Sequence, residues 1–267
     1  VIDQIRDQLP DLTRIITIDG DREDWDYFPS WRNSKPNTAP DRTPESDDDV
    51  IQLYTSGTTG RPKGVQLSNA SYEAFFRQAA MLEWSSYGAG EAVMNAMPLF
   101  HVAGVNVGVL ALKVVSYGAS PIAESLLLDA KRIMNVSFTQ LYGLTETLGA
   151  GTYLPPQAHD PAWGKLRSCG VPWPGAIVRC VDDEGKPVPT GEVGEIVIKA
   201  RFLMKGYWNR PDATEEAVKN GFFHTGDAGY FDEDGFLYIH DRIKDMIVSG
   251  GENVYPAEVE NALFSHP

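Results

Sequence analysis

A strand, a glycine-rich loop and a second strand follow one another between residues 50 and 67, and the rest of the chain is read around that unit. The apolar run Val50-Ile51-Gln52-Leu53-Tyr54 reads as a buried strand, and Val65-Gln66-Leu67 as the strand that returns. Between them, Thr55-Ser56-Gly57-Thr58-Thr59-Gly60-Arg61-Pro62-Lys63-Gly64 holds three glycines, four serine or threonine hydroxyls and one lysine. Glycine lets the backbone take positive φ and approach a ligand closely. Successive backbone N–H groups in such a turn make a concave nest for anions. The hydroxyls add donors without bulk, and Lys63 adds a point charge. A glycine loop alone is often a plain connector; the lysine and the preceding strand favour a polyphosphate site. The spacing is not that of the Walker loop, because Pro62 stands where its second glycine belongs and Gly64 follows Lys63 in place of Ser or Thr.

Charge supports local rather than global recognition of phosphate. The 267 residues carry a net charge of −14, which argues against a nucleic-acid backbone or an anionic membrane surface as partner. No apolar run is long enough to span a bilayer, and no signal peptide is visible, so a cytoplasmic protein is expected. Cys169 and Cys180 form no metal or redox motif and read as buried thiols. The first residue is not Met, so the chain is expected to be part of a longer protein.

Along the chain, Val1 to Leu9 has an amphipathic helical pattern, and Arg14 to Ile18 reads as a strand. A polar stretch rich in proline runs from Asp19 to Asp49. Ser68 or Asn69 can cap a helix whose buried face is Tyr72, Phe75, Phe76, Ala79 and Ala80. Beyond Gly170 the pattern turns β-rich: Ala176 to Val181 alternates, Asp182-Asp183-Glu184-Gly185 turns, and Glu195 to Lys199 returns. Asp232-Glu233-Asp234-Gly235 reads as a hairpin turn and not as a calcium loop, because the other EF-hand ligand positions are missing.

Four stretches together carry a resemblance. They are the loop at Thr55–Gly64, Gln140-Leu141-Tyr142-Gly143-Leu144-Thr145-Glu146, Thr225-Gly226-Asp227, and Asp241-Arg242-Ile243-Lys244 running on to Gly250-Gly251-Glu252-Asn253-Val254-Tyr255-Pro256. In kind and order they resemble the adenylate-forming superfamily, in its acyl-CoA synthetase branch for fatty or aryl acids. The resemblance implies an α/β fold: a large domain with mixed sheets and a β-barrel-like unit over residues 1–244, then the start of a small α+β lid over 245–267. The superfamily separates the segment ending near Lys113 from the one starting near Val114 by several dozen residues. The intact protein is therefore expected to carry a segment there that this sequence omits, since true loss of core strands would exceed a stability of roughly 5–15 kcal/mol.

The resemblance also implies roles. Thr55, Ser56, Gly57, Thr58, Thr59, Gly60 and Lys63 would hold the ATP phosphates. Gly118, Ala119 and Ser120 would pass beside adenine. Gln140, Tyr142, Gly143 and Thr145 would contact the nucleotide, with the Tyr142 ring as a stacking face. Glu146 would be the Mg²⁺ ligand, Mg²⁺ being a cation that takes carboxylate and phosphate oxygens. Asp227 would accept from the ribose hydroxyls, and Arg242 would contact ribose and phosphate. His101, in Pro98-Leu99-Phe100-His101, would line the carboxylate pocket. Lys244 would be the hinge of the lid, and Gly250 and Gly251 the loop that swings in for the thiol step. The implied activity joins a carboxylic acid to coenzyme A through an acyl-adenylate. The alternatives are an enzyme that loads a carrier protein and a catalytically inactive nucleotide-binding homologue; a homodimer is compatible with each. The superfamily's late lid lysine has no counterpart in these residues, so these residues alone are expected to adenylate poorly.

Overall fold

The computed structural model describes residues 2–18, 20, 22–36, 38, 43–55, 62–82, 114–118, 124–133, 137–242, 247–249 and 252–254. The chain forms two compact units, residues 1–43 and 44–267. In the first, helices α1 (Ile2–Ile5) and α2 (Phe28–Asn33) accompany a parallel pair of strands, β1 (Ile16–Thr17) and β2 (Asp26–Tyr27). The helical reading of the first nine residues is met only in part: α1 gives way to a tighter turn at Arg6–Gln8, and Ile5 and Leu9 are exposed rather than buried.

The second unit follows in this order: β3 (Asp49–Thr55), β4 (Lys63–Ser68), α3 (Asn69–Ala79), β5 (Val114–Gly118), α4 (Glu124–Ile133), β6 (Ser137–Tyr142), β7 (Thr152–Leu154), β8 (Val171–Pro172), β9 (Ile177–Val181), β10 (Gly194–Lys199), β11 (Gly206–Tyr207), α5 (Pro211–Ala217), β12 (Val218–Lys219), β13 (Phe222–Phe231), β14 (Leu237–Arg242), β15 (Ile247–Ser249) and β16 (Glu252–Val254). These strands make mixed sheets. One runs β11-β4-β3 and is antiparallel. Another runs β5-β6-β7-β8, with β5 and β6 parallel and the rest antiparallel. The largest is antiparallel, β12-β13-β10-β9 with β14 also on β13. β15 and β16 pair by themselves. This is the α/β architecture with mixed sheets that the resemblance implies.

Local chemistry explains the joints. Ser68 caps α3, its Oγ accepting from the Ser71 N–H at 3.3 Å. The buried face of α3 is Ser71, Phe75 and Ala79. Ala80, placed on that face by periodicity, is exposed because the helix ends at Ala79 and the chain turns away. Phe75 stacks on Trp173 at 5.6 Å and meets Phe202 edge-on at 6.3 Å, inside a core that also holds Val65, Leu67, Leu148 and Met204. Each fully buried side chain of this size contributes about 1.5–3 kcal/mol.

The apolar run at Val50 proves half right. The strand forms, yet Val50 and Tyr54 are 50% and 65% exposed. β3 lies outermost in its sheet, paired only with β4, so its far side has no covering strand among the described residues. β4 takes the burial instead, with Val65 and Leu67 fully enclosed. The turn at Asp232 behaves as read: it joins β13 to β14, Asp232 Oδ1 accepts from the N–H groups of Asp234 and Phe236, and Gly235 takes a φ of 79°. The Lys165 ammonium bonds both the Asp232 and Asp234 carboxylates at 2.7 Å.

Candidate active site

The glycine loop opens from a paired base. Thr55 and Lys63 are partners across β3 and β4, which makes the two ends of the loop neighbours. Residues 56–61, with Ser56, Gly57, Thr58, Thr59 and Gly60, lie outside the described residues. The same holds for His101, Ala119, Ser120, Lys244, Gly250 and Gly251. Lys63 is described, and its Nζ stands 5.0 Å from the centre of the Tyr207 ring.

The second element grows from the end of β6. The Tyr142 carbonyl accepts from the Gly151 N–H at 2.7 Å, and the Leu144 carbonyl accepts from the Gly149 N–H at 2.8 Å. These bonds close the loop back on itself. A Cβ at Gly143 would meet backbone atoms of Gly149 and Ala150 at 2.4–2.7 Å, so only glycine fits. Within the closed loop, Thr145–Thr147 form one tight helical turn that presents Glu146 inward. The Leu144 N–H donates to Thr147 Oγ1 at 3.0 Å and steadies that turn.

Glu146 is buried, and two bonds from one segment hold it. Its carbonyl accepts from the Met204 N–H at 2.7 Å, and its Oε1 accepts from the Tyr207 hydroxyl at 2.8 Å. Burial pushes the Glu146 carboxyl above the ordinary carboxylate range. The Tyr207 hydrogen bond opposes that rise, as do the charges of Lys63 and Arg242. An enclosed carboxylate of this kind, steadied at one oxygen by Tyr207, is the hard oxygen donor that magnesium takes.

The third and fourth elements sit on adjacent strands. Asp227 on β13 is the register partner of Arg242 on β14, and Arg242 Nε lies 3.6 Å from Asp227 Oδ1. The Tyr142 hydroxyl donates to Asp227 Oδ2 at 2.7 Å. A local kink aims Asp227: Gly226 has a φ of 74°, and its N–H donates to Glu195 Oε1 at 3.1 Å. The other Glu195 oxygen is 2.7 Å from His224 Nδ1, which donates because a carboxylate only accepts. Thr225 Oγ1 accepts from the Asp227 N–H and donates to the Ile196 carbonyl.

The structure therefore links Lys63 to Glu146 through Tyr207, and Tyr142, from the strand that leads into the Glu146 loop, to Asp227 and Arg242. On the parallel strands β5 and β6, Gln140 is the register partner of Tyr117 and Gly118 that of Leu141, and a Cβ at Gly118 would lie 2.1 Å from the Leu141 carbonyl oxygen. Gln140 Nε2 reaches Cys169 Sγ at 3.9 Å, and burial pushes the Cys169 thiol up to about 12 and Cys180 up to about 11. Both thiols are buried and unpaired by a disulfide, in line with the sequence reading. The sequence does not mark Tyr207 or Glu195: an aromatic beside a glycine and an acid within a strand look like ordinary core and surface positions. No group of three metal-ligating side chains occurs among the described residues, and no helix among them is long and apolar enough to cross a membrane.

The profile of the family described as "AMP-binding enzyme" matches residues 1–112 and 109–208. The chain is 37% identical to "Fatty acid--[acyl-carrier-protein] ligase ScoC" of Streptomyces coeruleorubidus, over 90% of this chain and 57% of that protein. It is 36% identical to "Medium/long-chain-fatty-acid--CoA ligase FadD8" of Mycobacterium tuberculosis, over 97% of this chain and 52% of that one. Among solved structures it is similar to O-succinylbenzoate coenzyme A synthetase of Bacillus subtilis in complex with ATP and magnesium ion, with a TM-score of 0.73, 32% identity, and coverage of 84% of this chain and 56% of that one. The chain thus spans a little over half the length of the relatives it matches. The two matched pieces meet near residue 110, and the alignment with indoleacetate–CoA ligase of Aromatoleum aromaticum runs to 322 positions while covering all 267 residues, so that relative has several dozen positions with no counterpart here.

Proposed function

This chain belongs to the AMP-binding enzyme family, and on that premise we propose that it is part of an ATP-dependent, AMP-forming ligase that converts a fatty or aryl carboxylic acid to its coenzyme A thioester. The observation that carries the reading is the linkage of Lys63 to Glu146 through Tyr207 and of the adjoining Tyr142 to Asp227 and Arg242, which supplies groups suited to one magnesium nucleotide. Relatives named for fatty-acid, feruloyl and 2-succinylbenzoate CoA ligation support it.

The reaction has two balanced steps. A carboxylate oxygen of the acid attacks the α-phosphorus, the bond to the bridging oxygen breaks, and pyrophosphate leaves. The coenzyme A sulfur, losing its proton, then attacks the acyl carbonyl, and AMP leaves. Asp227 accepts from the ribose hydroxyls and fixes the nucleoside. Lys63 and the loop from Thr55 to Gly60 hold the phosphates, and Arg242 and Thr145 face the α-phosphate. Magnesium held by Glu146 would supply charge neutralisation for the phosphate oxygens. Positioning and charge of this kind carry most of such chemistry. His101 is assigned to the carboxylate pocket, Gly118, Ala119 and Ser120 to adenine, Lys244 to the hinge between residues 1–244 and a lid begun by 245–267, and Gly250-Gly251 to the thiol step. The match of the family model in two pieces that meet near residue 110, with the longer alignment to the indoleacetate ligase, supports a further segment there in the intact protein. A cytoplasmic location and a homodimer complete the proposal.

A second reading has its own support. The relative named as an acyl-carrier-protein ligase is 37% identical, so the acceptor thiol is that of a carrier protein in this alternative. The test is acid-dependent pyrophosphate release by the full-length protein, with a panel of fatty and aryl acids, with and without coenzyme A, and with Glu146→Ala as control. Release that needs an acid, speeds up with coenzyme A and is lost in the variant supports the ligase. Acceleration only by a phosphopantetheinyl carrier selects the second reading. No release with any acid, despite ATP binding, leaves an inactive nucleotide-binding homologue.

A further inference from the structure

The segment 204–208 touches the glycine loop's exit and the acidic turn at once. Trp208 N–H donates to the Gly64 carbonyl at 2.7 Å, and Lys205 N–H to the Gln66 carbonyl at 2.9 Å, so β11 is laced to β4 just beyond Lys63. Tyr207 is the register partner of Val65. Its N–H donates to Thr214 Oγ1 at 2.9 Å, which anchors it to α5 from the other side. From that fixed backbone the Tyr207 side chain reaches Glu146. Its hydroxyl donates to Glu146 Oε1 at 2.8 Å, while its ring face receives Lys63 Nζ at 5.0 Å. Lys63 and Glu146 thus meet on the same Tyr207 side chain, and no ion pair joins them directly among the described residues.

That arrangement has a chemical consequence. A lysine and a buried carboxylate close together would ordinarily collapse into a salt bridge, and a salt-bridged pair has little left for a ligand. Here the ring offers the ammonium a second attraction. The hydroxyl satisfies one carboxylate oxygen and orients the group. We propose that Tyr207 is a positioning residue that keeps Lys63 and Glu146 apart and ready, the first for phosphate and the second for the magnesium that accompanies it. The inference rests on the nucleotide reading of the site given above.

The test measures binding rather than turnover. ATP affinity of the full-length protein is determined by calorimetry with and without Mg²⁺, for the wild type, Tyr207→Phe and Tyr207→Leu, with folding checked by thermal unfolding. Tyr207→Phe keeps the ring and loses the hydroxyl. It is expected to leave metal-free ATP affinity within about twofold of wild type and to lose about tenfold of the gain that Mg²⁺ brings, the scale of one hydrogen bond to a charged group. Tyr207→Leu removes the spacer as well and is expected to weaken metal-free binding too, because Lys63 can then close on Glu146. A full magnesium gain in Tyr207→Phe overturns the inference. So does an equal loss with and without metal in Tyr207→Phe, the mark of a general structural role. Equal behaviour of the two variants overturns the spacer role. If the wild type itself gains nothing from Mg²⁺, the metal reading of Glu146 falls, and the inference with it.

Discussion

The Tyr142 hydroxyl and Asp227 Oδ2 lie 2.7 Å apart although 85 residues separate them in the chain. That bond ties the loop carrying Glu146 to the strand carrying Asp227. Burial foremost, with the neighbouring Asp227 charge, pushes the Tyr142 phenol well above its usual value, so it stays a donor through the neutral range. Tyr142→Phe is therefore expected to raise the KM for ATP about tenfold, since a bond to a charged group is lost. If the effect runs through Asp227, the double variant with Asp227→Asn is no worse than Asp227→Asn alone. Steady-state kinetics at varied ATP decide it, and additive losses would show that Tyr142 acts independently.

That bond also shows where sequence reading succeeds and stops. The capped helix at Ser68, the hairpin turn at Asp232 and the antiparallel pair around Asp182 rest on local chemistry, which a few neighbouring residues specify. The identities of Glu146, Asp227 and Arg242 came from motif resemblance, but their linkage did not. Tyr207 reaches Glu146 across 61 residues, and nothing near Tyr207 in the sequence marks that contact. Val50 is exposed for a related reason: an apolar run does not say whether its strand will lie inside a sheet or at its edge.

Glu146→Gln is expected to separate stability from activity. The folded Glu146 carboxyl titrates above the ordinary carboxylate range, chiefly through burial. A group raised in this way holds its proton more firmly in the folded state. Its contribution is present below the unfolded value and is lost as pH rises through the folded one. At neutral pH the ionised side chain is thus a cost to the ligand-free protein. Glutamine keeps the shape and the acceptor for Tyr207 and drops the charge. Thermal unfolding near pH 7.5 should shift upward by a few degrees, about 1 kcal/mol, while acid-dependent pyrophosphate release falls about 10²–10³-fold. Near pH 4 the stability gain should vanish. A less stable Glu146→Gln protein at neutral pH would contradict the burial cost.

His159 gives an opposite pH signature away from the site. It is 1% exposed. Its Nδ1 lies 3.0 Å from the Pro155 carbonyl and its Nε2 3.0 Å from the Tyr117 hydroxyl. The carbonyl can only accept, so Nδ1 carries the proton and Nε2 accepts from Tyr117. Burial foremost, with the Lys131 charge, holds His159 below its usual value of 6.5. The unfolded chain gains a proton near that pH and the folded chain does not. Stability is therefore full above about pH 6.5 and falls on acidification toward the folded value, by up to about 1.4 kcal/mol per pH unit. Urea midpoints across roughly pH 5 to 8 should show this slope in the wild type and a flatter one in His159→Gln. Equal slopes would mean that His159 titrates normally in the folded state.

Gly143 links loop closure to nucleotide binding. A Cβ there would lie 2.4 Å from the Gly149 carbonyl carbon and 2.5 Å from the Ala150 nitrogen, and neither backbone atom can swing aside as a side-chain tip would. Gly143→Ala must open the loop that the Gly151–Tyr142 and Gly149–Leu144 bonds close, which costs about 1–3 kcal/mol and moves Glu146 off Tyr207. A fitting comparison is Gly235→Ala, in the hairpin turn, where a Cβ meets nothing within 4 Å and only the φ of 79° is strained. Both variants should unfold at lower temperature than the wild type. Only Gly143→Ala should also lose the magnesium-dependent part of ATP binding, because only there does the backbone shift reach the acidic turn. Unchanged ATP binding in a destabilised Gly143→Ala protein would mean that the closed loop serves the core and not the placement of Glu146.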